Sequence, residues 1–175
     1  MSEALIRASR VPELGHLNLR GKHSDPAFAA AVRKACGVSL PGAPGMAVKG
    51  DLTIYWLGPD EWSLVTTAAK TPALLAALNE ATRGMHVAVN DLSAAFVTLA
   101  LRGSKVRELL ARACTIDLHP SAFPSGASAH TALAKAGVLL AVHDAEFRLI
   151  VRRSFADYLL QWLRRAGADY GIEFA

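Results

Sequence analysis

The chain has 175 residues, 52% of them hydrophobic and 19% charged, a composition that suits one domain with a sizeable core and excludes a disordered chain. Its net charge of +4 and pI near 9.3 favour acidic partners without specifying nucleic acid. Mean hydropathy is +0.25, yet Lys135, His143 and Asp144 break the most apolar stretch, so no membrane span is expected.

The opening MSEALIRASR carries charge with no apolar run behind it, which is unlike a secretory signal; a cytoplasmic location is the expectation. The first 25 residues, with Pro12, Gly15, Gly21 and Asp25, show no sustained period and are expected to form an irregular arm. Asp25 followed by Pro26 is a helix start, because the carboxylate accepts orphan N–H groups and proline suits the first helical position. The helix runs through AFAAAV to Cys36 and closes at Gly37. Residues 40–50, rich in proline and glycine, are expected to be loop.

From Leu52 the period changes to two. LTIYWL and EWSLVT flank Gly58, Pro59 and Asp60, which predicts a hairpin. Thr71 and Pro72 open an alanine- and leucine-rich helix, followed by strands MHVAVND and AFVTLAL. Ser104 is expected to cap the helix KVRELLARA, whose Val106, Leu109, Leu110 and Ala113 share one face. Strands HTALA, GVLLAV and FRLIVR precede a last helix, for which Ser154 and Asp157 form a capping-box pattern and Gly167 a stop. The order of elements predicts an α+β fold, with helices packed on antiparallel sheets.

Neither of the two commonest glycine-rich phosphate loops occurs in the sequence, so a nucleotide cofactor held by this chain alone is not expected. The six histidines lack the spacing of metal ligands. His119, beside Pro120, is the best functional candidate among them; His86 and His130 fit half-exposed strand positions. Cys36 and Cys114 are expected as small core residues rather than a disulfide. No Gly-x-Ser-x-Gly elbow is present, and Asp91, at the end of its strand, suits a turn former better than a base. Arg152 and Arg153 precede the last helix and could hold an anion. Trp56, Trp62 and Trp162 are expected mostly in the core, with some area at an interface.

The segments LGPDEWSL (57–64), NDLS (90–93), LRG (101–103), LLARACTIDLHPSAFPSG (109–126) and VRRSFADYLLQWL (151–163) together resemble the sarcosine oxidase gamma subunit family, from about Leu52 to Gly171. That family is distantly similar to the folate-binding domain of aminomethyltransferase, in which a Leu-Gly-Pro-x-Glu hairpin, an Asp-Leu-Ser strand end and an Asp-Leu…Phe loop recur. The resemblance implies a non-catalytic structural subunit of a four-chain complex. The complex oxidises sarcosine to glycine, with hydrogen peroxide and formaldehyde or methylenetetrahydrofolate as further products. It also implies that FAD, FMN, NAD and tetrahydrofolate belong to partner subunits, the partners being the alpha, beta and delta chains, and that this chain holds no catalytic, cofactor or metal residue. Contacts with partners or an anion are expected at Trp62, His119, Phe123, Arg152 and Arg153. A stand-alone folate-dependent one-carbon transferase and an RNA-associated module are the rival readings.

Overall fold

The computed structural model describes residues 5–175. In chain order its elements are β1 (Arg7–Val11), β2 (Leu14–Arg20), α1 (Pro26–Cys36), β3 (Met46–Lys49), β4 (Leu52–Gly58), β5 (Glu61–Thr67), α2 (Thr71–Ala81) and β6 (Ala88–Asp91). They continue with β7 (Phe96–Arg102), α3 (Val106–Ala111), β8 (Ser128–Leu133), β9 (Ala136–His143), β10 (Glu146–Arg152), α4 (Arg153–Ala166) and β11 (Glu173–Phe174). The class is α+β, as the alternation of strand pairs and helices predicts. No helix among the described residues is long and apolar enough to cross a membrane.

The single core expected from chain length is replaced by two. The chain gathers into two compact units, Glu13–Ala94 and a second unit made of the N-terminal residues through Pro12 with Ala95–Ala175. Each has its own sheet and its own apolar cluster.

In the unit Glu13–Ala94 the strand order is β3-β4-β5-β2-β6, and every neighbouring pair is antiparallel. The period-two pattern places Leu17, Leu19, Ile54, Trp62 and Leu64 in one cluster, which Phe28 and Val32 of α1 and Leu78 of α2 close. Burying such side chains is the main stabilising contribution, at about 1.5–3 kcal/mol each. The α1 boundaries agree with the sequence: the Asp25 carboxylate accepts from the Ala27 N–H at 2.9 Å, and Gly37 has φ 69°, a left-handed conformation that glycine adopts without strain.

In the other unit the order is β11-β1-β7-β10-β9-β8, antiparallel except for the parallel pair β1 and β11. Alternate residues Leu99 and Leu101, Val138, Leu140 and Val142, and Phe147, Leu149 and Val151 face a shared cluster. It is covered by Val106, Leu109 and Leu110 of α3 and by Ala156, Leu159 and Leu163 of α4.

Several local expectations are corrected. The first 25 residues are not an irregular arm: β1 lies between β7 and β11, and β2 between β5 and β6. Their order comes from distant pairing, Ala8 with Leu101 and Leu17 with Leu64, which no local period announces. The proline- and glycine-rich stretch contains β3, which pairs with β4 from Met46 opposite Tyr55 to Lys49 opposite Leu52.

Ser104 does not cap α3. Lys105 occupies the cap position and makes no side-chain cap bond, and its ammonium is instead paired with Glu108 at 2.5 Å. Nor does Ser154 cap α4, because β10 runs directly into the helix and puts Arg152 at the cap position. The expected capping-box acid, Asp157, is drawn away to Arg10, 3.0 Å distant on β1.

Candidate functional site

Three places hold groups that could carry chemistry: an open cleft, a buried histidine and the last helix. In the unit Glu13–Ala94 the start of α1, the β4–β5 turn and the segment before β6 enclose a cleft of about 830 Å³. The carboxylates at its rim already have structural partners. Asp25 caps α1. Asp60 accepts from the His23 N–H at 3.0 Å, and Glu61 is bound by Arg20 at 2.7 Å and by the Asn18 amide at 2.9 Å. Such exposed pairs contribute little to stability, at most about 1 kcal/mol each, but they hold the turn against β2.

His16 of β2 is 3% exposed. Burial lowers its pKa to about 4, and the nearby Asp91 charge opposes that shift without overcoming it. Beside it, the His16 backbone N–H donates to Ser93 Oγ at 3.0 Å, and Ser93 Oγ donates to Asp91 Oδ1 at 2.5 Å. Asp91 also accepts from the Ser93 N–H at 2.9 Å, and these two bonds hold its carboxyl below the usual range. The arrangement ties the end of β6 to β2. Asp91 is thus a turn former on an exposed position, as its place in the sequence suggests, and not a buried base.

The remaining histidines are dispersed. His23 lies 5.6 Å from the Trp62 ring, and His86 is exposed just before β6 rather than within it. His130 is exposed on β8, while His143 at the end of β9 has its pKa lowered by burial and by Arg148. Among the described residues no group of three or more His, Cys, Asp and Glu side chains could hold a metal ion. Cys36 is buried and Cys114 half-buried, both as free thiols; burial pushes the Cys36 thiol up to about 11.

The structure separates the residues expected at an interface into two groups. Trp62 is 0% exposed and Phe123 is 5% exposed, so both are core residues and unavailable to a partner's surface. Trp62 packs on Phe28 with ring centroids 5.9 Å apart. Phe123 is held from its backbone, its N–H donating to His119 O at 2.8 Å and its carbonyl accepting from Arg107 at 2.9 Å. His119, Arg152 and Arg153 are exposed. The His119 ring lies 2.7 Å from Ser121 Oγ, which makes it part of a local turn. Arg152 and Arg153 meet at Phe96, one over its ring at 5.8 Å and the other donating to its carbonyl at 3.4 Å.

Two exposed aromatics of α4 were not among the expected contacts. Phe155 and Tyr158 stand outside the core on the same helix, and Trp162 follows, half-buried. Their spacing of three and then four residues was a readable signal for a second helix face, beside the one built from Ala156, Leu159 and Leu163.

A model of the sarcosine oxidase, gamma subunit family matches residues 20–169, beginning well before the segments that carry the resemblance. A sarcosine oxidase subunit gamma from Corynebacterium sp. (strain P-1) is 33% identical over 148 residues, 82% of this chain and 71% of that protein. The structure of heterotetrameric sarcosine oxidase from Corynebacterium sp. U-96, in complex with pyrrole 2-carboxylate, contains a chain that superposes with a TM-score of 0.90. That chain is 32% identical, and the match covers 98% of this chain and 88% of that one. The glycine cleavage system aminomethyltransferase T from Bartonella henselae superposes with a TM-score of 0.70 at 17% identity, over 98% of this chain and 48% of that one. The likeness to the aminomethyltransferase is one of fold.

Proposed function

Because the chain belongs to the sarcosine oxidase gamma subunit family, we propose that it is a structural subunit of a heterotetrameric sarcosine oxidase. In this reading it contributes no catalytic residue of its own. The observation that carries it is the match along 98% of the chain, at a TM-score of 0.90, to a chain of a heterotetrameric sarcosine oxidase. The reaction is the oxidative demethylation of sarcosine to glycine, with hydrogen peroxide and either formaldehyde or methylenetetrahydrofolate as the other products.

FAD, FMN, NAD and tetrahydrofolate then reside on the alpha, beta and delta partners, in a cytoplasmic complex. The two compact units act together as one gamma-subunit domain, a reading supported by a family match that runs through both. The internal pairing of the cleft carboxylates with Arg20, Asn18 and backbone N–H groups fits a role in holding shape.

The test is coexpression with the flavin-bearing subunits of the same cell, followed by capture through a tag on this chain. A yellow complex that produces hydrogen peroxide from sarcosine supports the proposal. A colourless chain that elutes alone while those subunits assemble without it refutes it.

A further inference from the structure

The strand β11 has only two residues, too few to hold a place in a sheet by their own hydrogen bonds. It nonetheless lies along β1, as the one parallel pair among the described strands of that sheet. What keeps it there is a set of contacts on every side. The Glu173 N–H donates to the Ile6 carbonyl at 3.0 Å and the Ala175 N–H to the Ala8 carbonyl at 2.9 Å, while the Leu5 N–H donates to the Tyr170 carbonyl at 3.2 Å. Gly171, with φ 61°, turns the chain towards β1 in a conformation that glycine adopts without strain. Arg164 of α4 lies over the Phe174 ring at 4.1 Å, Arg112 over the Tyr170 ring at 4.6 Å, and Arg7 pairs with Glu173 at 3.7 Å. Ile172 and Phe174 pack, half-buried, against the apolar cluster of the unit.

Without β11 this side of β1 would be a sheet edge, with N–H and carbonyl groups ready to pair with another chain. Ile6 and Ala8 present their carbonyls there, and by strand alternation the main chain of Arg10 faces the same side. The sequence RASRV of β1 is self-complementary in the antiparallel register centred on Ser9. Ala8 then falls opposite Arg10 and Arg7 opposite Val11, so no arginine meets an arginine across the pair. Charge on the strand therefore does not prevent it from pairing with its own copy. We propose that residues 171–175 are an edge guard, whose clasp against β1 keeps that strand from pairing with β1 of a second copy. The guard is a property of the fold and does not rest on the function proposed above.

The experiment follows sedimentation of the full chain over a range of concentrations, for wild type and for Glu173→Pro/Ala175→Pro. The prolines remove both N–H donors to β1 and alter no residue of β1 or of the apolar cluster. The variant should gain a concentration-dependent dimer beyond whatever wild type shows. Adding Ser9→Lys, which sets like charges opposite each other at the centre of the pair, should weaken that dimer roughly fivefold. If the proline variant loses its circular dichroism spectrum, Arg164→Ala/Phe174→Ala, which loosens the clasp through side chains alone, decides by the same comparison. A folded variant that sediments as wild type does overturns the guard. So does an added dimer that Ser9→Lys leaves intact, since its contact then lies elsewhere. Neither result bears on the proposed function, whose failure is read from the capture experiment.

Discussion

The indole N–H of Trp62 donates to the Pro41 carbonyl oxygen over 2.9 Å. One side chain thereby fills the core of the unit Glu13–Ala94 and fastens the loop after α1 to β5. Its ring is fully buried with Phe28, Leu17, Leu19 and Ile54, and the hydrogen bond satisfies the one polar atom that burial would otherwise strand.

Replacing Trp62 with Ala should therefore destabilise the chain by about 3–5 kcal/mol through lost burial and the cavity left behind. Trp62→Phe keeps much of the apolar area but leaves the Pro41 carbonyl without its donor, and should cost about 1–3 kcal/mol. Urea unfolding of the three proteins checks the order. Equal midpoints for wild type and Trp62→Phe would remove the hydrogen bond from the account.

His16 makes stability depend on pH. Its pKa falls from 6.5 to about 4 on folding, so between those values the unfolded chain binds a proton that the folded chain refuses. The contribution is fully present above about pH 6.5, declines as pH falls towards 4 and is constant below. Its full size is roughly 3 kcal/mol at 1.36 kcal/mol per unit. His143, whose pKa is also lowered, adds a change of the same sign, so the informative measurement is a difference. Between pH 7.5 and 4.5 the unfolding free energy of His16→Leu should fall less steeply than that of wild type, and parallel curves would be the contrary result.

Gly103, just after β7, has φ 125°, and a Cβ there would lie 2.1 Å from the Leu5 carbonyl oxygen. Backbone conformation alone makes a side chain unfavourable by about 1–3 kcal/mol, and the neighbouring atom is main chain, which cannot rotate aside. Gly103→Ala should lower the melting temperature by several degrees, since about 1 kcal/mol moves a domain of this size by roughly 2–4 °C. An unchanged melting temperature would show that the segment around Leu5 yields freely.

How much of this was legible in advance depended on the range of each interaction. The β4–β5 hairpin, α1 with its Asp25 and Gly37 ends, and the apolar face of α3 were readable because each is set by residues a few positions apart. The inserted strands β1 and β2 were not, since their partners lie far along the chain, and the edge strand β3 was hidden by the prolines and glycines before it, although it pairs with the adjacent β4. Ser104 and Ser154 looked like caps by sequence, but Lys105 pairs with Glu108, and Asp157 finds Arg10 on a strand from the other end of the chain. Among the expected contact residues, Trp62 and Phe123 drew notice for their size, the same property that sends large apolar side chains into the core.

By itself the sequence determined the family, the α+β class and most helices and hairpins, because periodicity, turn chemistry and short motifs are local properties of the chain. Tertiary structure alone decided that there are two cores, that the first strands sit inside the sheets, and which aromatics face outward. Those outcomes follow from long-range pairing and from competition for buried space. In that competition Trp62 is enclosed and Phe155 left at the surface, though both are large apolar side chains.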